Sequence, residues 1–227
     1  MPQIAESPSE VRTYFRPVIF QPSGREDYLS SACMSFEDWL RLDHLGISEW
    51  VDGEARLYMS VTMEHQAVVD FLNRLLGLFV EIRRLGTVHS APYAMQASSG
   101  GRGREPDLMF VATENLDRLQ SNYFHGPPDL VIEVVSDDSV ARDGAEKFAE
   151  YAAARVREYW VVDSRPGHQA VAFFVLDGDV FRGVEPGADG IYRSTVVDGF
   201  WLRVGWLWES PQPTARALGE LLGASFA

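Results

Sequence analysis

The chain has almost no lysine and almost no cysteine: of its 20 basic residues only Lys147 is a lysine, and Cys33 is its single thiol. One cysteine excludes an intrachain disulfide and fits a reducing compartment. No apolar run reaches the roughly 18 residues a membrane span needs. The opening MPQIAESPSE lacks the basic start and apolar stretch of a secretion signal. These absences point to a cytoplasmic protein with no membrane partner. Also missing are an HExxH pair, any other paired spacing of the histidines, and a GxGxxG turn leading from a strand into a helix. Zinc hydrolysis and dinucleotide binding therefore have little support. Positive charge is scarce too. The formal net charge of −13 opposes long-range attraction of a phosphate backbone, but it does not fix the sign of any one groove.

What the chain does have is an ordinary globular composition, 46% hydrophobic and 23% charged over 227 residues, enough for one domain with extensions. Residues 1–33 are rich in Pro, Ser and Gln and read as an arm, residues 34–205 as the main domain, and residues 206–227 as a tail with a short helix. A short helix is expected from about Ser35, a plausible N-cap. A hairpin follows, SEWV-DG-EARLYM, with the two-residue Asp52-Gly53 turn. A long helix from about Thr62 to Arg84 would bury a stripe of Val68, Phe71, Leu72, Leu75, Leu76, Phe79 and Ile82, with Glu64 extending that stripe at its N-terminal end. Strands are predicted near 87–90, 93–98, 106–112 and 129–136, a helix over about 139–154, and a strand at 157–163. Further strands are expected at 169–176, 179–184, 191–197 and 200–204, and a last helix after Pro213. The fold class is α/β (α+β), a mixed sheet flanked by helices, with an N-terminal helix and hairpin extension and a C-terminal β meander.

The strand DLVIEVVS carries the first chemical signal. Its alternation sets Val131, Glu133 and Val135 on one face of an interior strand. A carboxylate among valines must be paired, protonated or bound to a cation, so either a satisfied glutamate or a metal ligand is expected there. Asp107 opens the strand PDLMFVA and Glu64 opens the long helix; three carboxylates at the ends of packed elements suit a hard divalent cation. A second Pro-Asp pair, Pro128-Asp129, is a poorer candidate. Asp129 lies four residues from Glu133 on one strand, roughly 13 Å away, which suits a strand-entry residue better than a shared metal. Lys147 falls about two turns into the following helix, on a stripe with Val140, Gly144 and Tyr151. It is either a solvated helix residue or the ammonium of a site. Arg102 and Arg104, in the loop GGRGRE, are either a phosphate clamp or part of an exposed flexible loop. His65, next to Glu64, is either structural or a contact to phosphate or water.

The hairpin EWVDGEARLYMS, the helix start MEHQAVV, then REPDLMFVA, PPDLVIEVVS, RDGAEKFAEYAAA and VREYWVVD together resemble the Uma2 family of endonucleases, also known as a domain of unknown function, DUF820. The resemblance covers about Phe36 to Asp163 and implies a restriction-endonuclease-like core of the PD-(D/E)XK superfamily over 34–205. It implies Asp107 as the aspartate of the PD pair and Glu133 as the acid of the E-x-K element. The main-chain carbonyl of Val134 becomes a metal ligand, and Glu64 the accessory acid of the first core helix. The lysine position of that element is Val135 here, and the implied replacement is Lys147, reaching the same point from the next helix. The implied cofactor is Mg²⁺, with Mn²⁺ able to substitute, and the implied reaction is phosphodiester hydrolysis by metal-activated water with Lys147 beside it. Nucleic acid, DNA in the first instance, is the expected partner, and a homodimer the expected assembly. Two other readings stand beside this one. The chain could be an inactive nuclease-fold module in which Glu133 and Lys147 form a buried ion pair, or a carboxylate-pair glycosidase. The second is disfavoured by the lysine and by the apolar setting of Glu133.

Overall fold

In the computed structural model, residues 28–30, 34–41, 48–58, 61–97, 101–135 and 143–224 are described. The expected arm over 1–33 lies outside them except for β1 (Tyr28–Ser30), as do Cys33 and the beginning of the helix expected from residue 139. The hairpin forms as its turn dictates. Asp52 and Gly53 both take positive φ, 52° and 87°, which matches the twist of the strands they join, β2 (Ser48–Val51) and β3 (Glu54–Tyr58). Ser35 caps α1 (Phe36–Trp39) by accepting from the Asp38 amide at 3.0 Å.

The hairpin belongs to a peripheral sheet in the order β1-β3-β2-β6-β5-β8, where β5 is Ala94–Gln96, β6 Gly103–Arg104 and β8 Tyr123–His125. β6 approaches α1 closely enough that a Cβ on Gly103 would lie 2.5 Å from the Trp39 ring and 2.7 Å from Phe36. Glycine is what lets this strand come in. The approach fixes the next residue, Arg104, inside the protein.

The central sheet has the order β12-β11-β10-β9-β7-β4. Its strands are β4 (Gly86–Ser90), β7 (Leu108–Ala112), β9 (Leu130–Val135), β10 (Glu158–Asp163), β11 (Ala170–Asp177) and β12 (Val180–Val184). β9 and β10 are parallel and are joined through α3 (Asp143–Ala153); the other neighbours are antiparallel. Alternation along β9 divides the core. Leu130, Ile132 and Val134 pack with α2 (Met63–Arg83) and α4 (Thr214–Leu222), while Val131 packs with Tyr151 of α3 and with Met95 and Phe124 of the peripheral sheet. Glu133 therefore enters the layer between the central sheet and α3. The β-rich stretch after Asp163 divides: β11 and β12 extend the central sheet, and β13 (Ile191–Arg193) pairs separately with β14 (Trp201–Arg203). The stretch read as a tail over 206–227 is partly core, because Trp206, Leu207, Ala217, Leu218 and Leu221 pack in the cluster that contains Phe71 and Leu75.

The long helix is where expected, with one correction of phase. Its buried residues begin with His65 and run through Val80, whereas Glu64 is exposed and Ile82 is 52% exposed. These two positions lie eighteen residues apart, about five whole turns, so they share one line along the helix. That line is the margin of the buried stripe.

Candidate active site

Four segments converge where β7 begins and β9 ends. Carrying the pairing of Leu108 with Ile132 back by one residue sets Asp107 opposite Glu133. Asp107 is anchored by main chain: its Oδ2 accepts the Val134 amide at 2.7 Å. His65 Nε2 lies 3.4 Å from the same oxygen. His65 is delivered by the first turn of α2, where Thr62 caps the helix by accepting the His65 amide at 3.2 Å. The other imidazole nitrogen, Nδ1, is buried with no hydrogen-bond partner among the described residues.

In a strand, the N–H and C=O of one residue leave toward one neighbour, and those of the next residue toward the other. Val134 donates toward Asp107, and the Val135 carbonyl accepts from Ser164, beyond β10, at 3.4 Å. The Val134 carbonyl is accordingly directed to the Asp107 side.

Glu133 is held from α3. Tyr151 donates its hydroxyl to Glu133 Oε1 at 2.7 Å, and Lys147 Nζ lies 3.2 Å from the same oxygen. The two are four residues apart, so one helix face presents both. Lys147 Nζ also lies 3.0 Å from Glu49 Oε1, and Glu49 Oε2 accepts from Arg104 at 2.6 Å. Burial pushes the Glu133 carboxyl up to about 7. The Lys147 ammonium opposes that rise, and the charges of Asp107 and Glu49 add to it.

Two other buried acids show what a purely structural carboxylate looks like in this protein. Asp129 spends both oxygens on the Ala112 amide, Asn115 and Arg157, and Glu158 spends both on Trp160, Ser194 and Thr195. Asp129, at the entry to β9, thus ties that strand to the end of β7. Asp107 and Glu133 differ. All their contacts fall on Oδ2 and Oε1, and Oδ1 and Oε2 accept nothing from the described residues. Among the described residues no three His, Cys, Asp or Glu side chains gather into a ready metal cage. The available donors are two carboxylate oxygens and one main-chain carbonyl. That set suits a hard cation of the magnesium type, which takes one or two carboxylates and keeps several waters.

The structure brings Asp107, Glu133, Lys147, His65 and the Val134 carbonyl together, and it places the remaining sequence candidates differently. Glu64 is exposed at the margin of its helix, and the adjacent His65 takes the inward position. His65, read as either structural or a contact to phosphate or water, is 4% exposed and faces Asp107. Arg104, read as part of a phosphate clamp or of an exposed flexible loop, is 1% exposed and turned onto Glu49, Glu146 and Glu150. Burial opposes its charge, yet Glu49 and Glu150 hold it well above its ordinary value. Arg102 is engaged by Asp52, Glu146 and Glu150. Both guanidiniums thus tie the hairpin and β6 to α3. Sequence reasoning missed Glu49 and the role of Tyr151. Alternation in SEWV sets Glu49 on the face of the buried Val51, and Tyr151 stands one turn beyond Lys147; both signals were there to be read.

The family Uma2, described as "putative restriction endonuclease", matches residues 35–205 of the chain. The fold is similar to that of a crystal structure from Anabaena variabilis, described as a putative nuclease belonging to DUF820. The TM-score is 0.64 at 16% identity, over 77% of this chain and 97% of the other. No curated protein matches the chain.

Proposed function

The chain belongs to the Uma2 family, and from that premise we propose that it is a metal-dependent phosphodiester hydrolase, a DNA endonuclease working at Asp107, Glu133 and Lys147. One observation carries the reading: Asp107 and Glu133 face each other across β7 and β9, each with one carboxylate oxygen that accepts nothing from the described residues, beside the chain's single lysine. Asp107, Glu133 and the Val134 carbonyl would hold Mg²⁺, or Mn²⁺ in its place. When bound, such a cation stabilises charge developing at phosphorus and acidifies water.

The side chains around the cluster do the orienting. The Val134 amide and His65 fix Asp107 through Oδ2, which sets the direction of Oδ1. Tyr151 does the same for Glu133. Lys147 places a compact positive charge beside Glu133, where it supports an attacking oxygen or a non-bridging phosphate oxygen. Among the described residues no helix is long and apolar enough to cross a membrane. A cytoplasmic setting accords with the lone cysteine, and a homodimer would offer two sites to the two strands of a duplex; sizing in solution tests the latter.

The direct test is cleavage of supercoiled and single-stranded DNA with Mg²⁺ or Mn²⁺, comparing wild type with Glu133→Ala and Lys147→Ala. Metal-dependent cutting lost in both variants supports the proposal. Cutting that survives either substitution removes that residue from the mechanism. The contacts of Lys147 with Glu133 and Glu49 also suit an inactive binding module built on the same fold, and wild type that neither cuts nor binds metal would select that reading.

A further inference from the structure

Glu49 lies on the peripheral hairpin, outside the central sheet that carries Asp107 and Glu133, yet its side chain is 2% exposed and reaches the same ammonium. Burying a carboxylate is costly unless something specific holds it. Here the two oxygens divide the work. Oε2 accepts from Arg104 Nη1 at 2.6 Å, and Oε1 faces Lys147 Nζ at 3.0 Å. Arg104 is in turn fixed by Glu150 on α3, at 2.7 Å, and by the tight seat of β6 that Gly103 permits. Lys147 thus stands between two carboxylates from different layers, Glu49 of the hairpin and Glu133 of β9, 3.0 and 3.2 Å away.

A lysine has a long flexible stem and loses rotamer freedom when fixed. One carboxylate leaves the ammonium free to swing about it, whereas two carried by different elements restrict it further. We infer that Glu49 is a positioning residue for Lys147: it holds the ammonium against Glu133, and the nuclease site is complete only when the hairpin is docked. The inference rests on the reading of Lys147 as part of the hydrolytic site. Glu49 itself is buried under Arg104 and Lys147 and acts through the lysine rather than on the substrate.

Because Lys147 is the only lysine, full-length protein labelled with ¹⁵N-lysine gives one side-chain ammonium signal that needs no assignment. That signal is the first readout, for wild type, Glu49→Gln and Glu49→Asp, and kcat and KM for DNA cleavage are the second. In wild type the signal is expected to be protected from exchange with water. In Glu49→Gln it should broaden or move toward that of free lysine, and kcat should fall about 100-fold, the scale of a misplaced reacting group. KM should stay within about twofold, as for a group that leaves substrate binding alone. Glu49→Asp, which keeps the charge, should recover part of both and still reports if Glu49→Gln does not fold. A wild-type signal or a wild-type kcat in Glu49→Gln overturns the inference. If wild type does not cut DNA, the nuclease reading fails by itself, and the ammonium signal alone decides whether Glu49 holds Lys147.

Discussion

The hydroxyl of Tyr151 donates to Glu133 at 2.7 Å from the helix face that also carries Lys147. Burial, and after it the charge of Glu133, raises the Tyr151 phenol well above its ordinary value, so it keeps the proton it donates throughout the neutral range. Tyr151→Phe removes that donor and little else. Loss of a supporting hydrogen bond to a ligand typically costs 10–100-fold in metal affinity or activity, and about 1–2 kcal/mol of stability follows from the lost bond. Thermal melts and cleavage rates of the variant check both. A fully active Tyr151→Phe would show that Glu133 needs no orienting partner.

Glu133 gives a pH signature in metal-free protein. Its carboxyl is raised by burial from 4.5 to about 7 in the folded state. For an acid shifted upward, the neutral form suits the fold and the charged form opposes it. The penalty is absent below pH 4.5 and fully present above about pH 7. Glu133→Gln carries no such charge, so wild type should lose stability relative to this variant as pH rises through that window. The loss should be on the order of 3 kcal/mol. Denaturation curves from pH 4 to 8.5 in the presence of a chelator measure the difference, and parallel curves would contradict it.

The two arginines ahead of Asp107 should separate in stability. Arg104 is buried against Glu49 and Glu150, and Arg104→Leu strands those charges, at a cost of about 3–5 kcal/mol. Arg102 keeps 30% of its side chain exposed, and its partner Asp52 is 70% exposed, so Arg102→Ala should cost no more than about 1 kcal/mol. Urea unfolding of both variants tests the contrast. Equal small losses would mean that the buried network contributes nothing to holding the hairpin on α3.

The two Pro-Asp pairs should separate in function. Asp107→Asn removes a carboxylate whose Oδ1 accepts nothing from the described residues, and cleavage should fall by at least about 100-fold. Asp129→Asn disturbs the hydrogen bonds that tie β9 to Ala112 and Asn115, so it should lower stability while cleavage survives in the folded fraction. Paired melting and cleavage assays decide it; the reverse pattern would move the site to the other end of the strand.

Much of this architecture could be read from residue order because local chemistry and tertiary packing agree. Asp52-Gly53 demands a two-residue hairpin turn, and the 3.6-residue spacing of Val68, Leu72, Leu75 and Phe79 demands a buried helix face. Reading failed where the signal was short or two-sided. β6 and β8 have two and three residues, too few for any alternation to register. Glu64 and Ile82 lie at the margin of the stripe, where only the neighbouring layer decides which side chain turns in. Lys147 stood out through its rarity and Glu133 through its apolar neighbours. Glu49 did not, because its importance comes from an ammonium 98 positions along the chain. The guanidiniums of Arg102 and Arg104 follow the same rule: a glycine-rich basic loop looks open until the helix carrying Glu146 and Glu150 is packed against it.

Isothermal titration of Mn²⁺ into wild type, Asp107→Asn and Glu133→Ala tests the central claim most directly. One saturable site in wild type, weakened at least tenfold in each variant, is the expected result and places the cation between these two carboxylates. No binding to wild type, or equal binding to all three proteins, would contradict the account and leave the Glu49–Lys147–Glu133 cluster as a structural clasp.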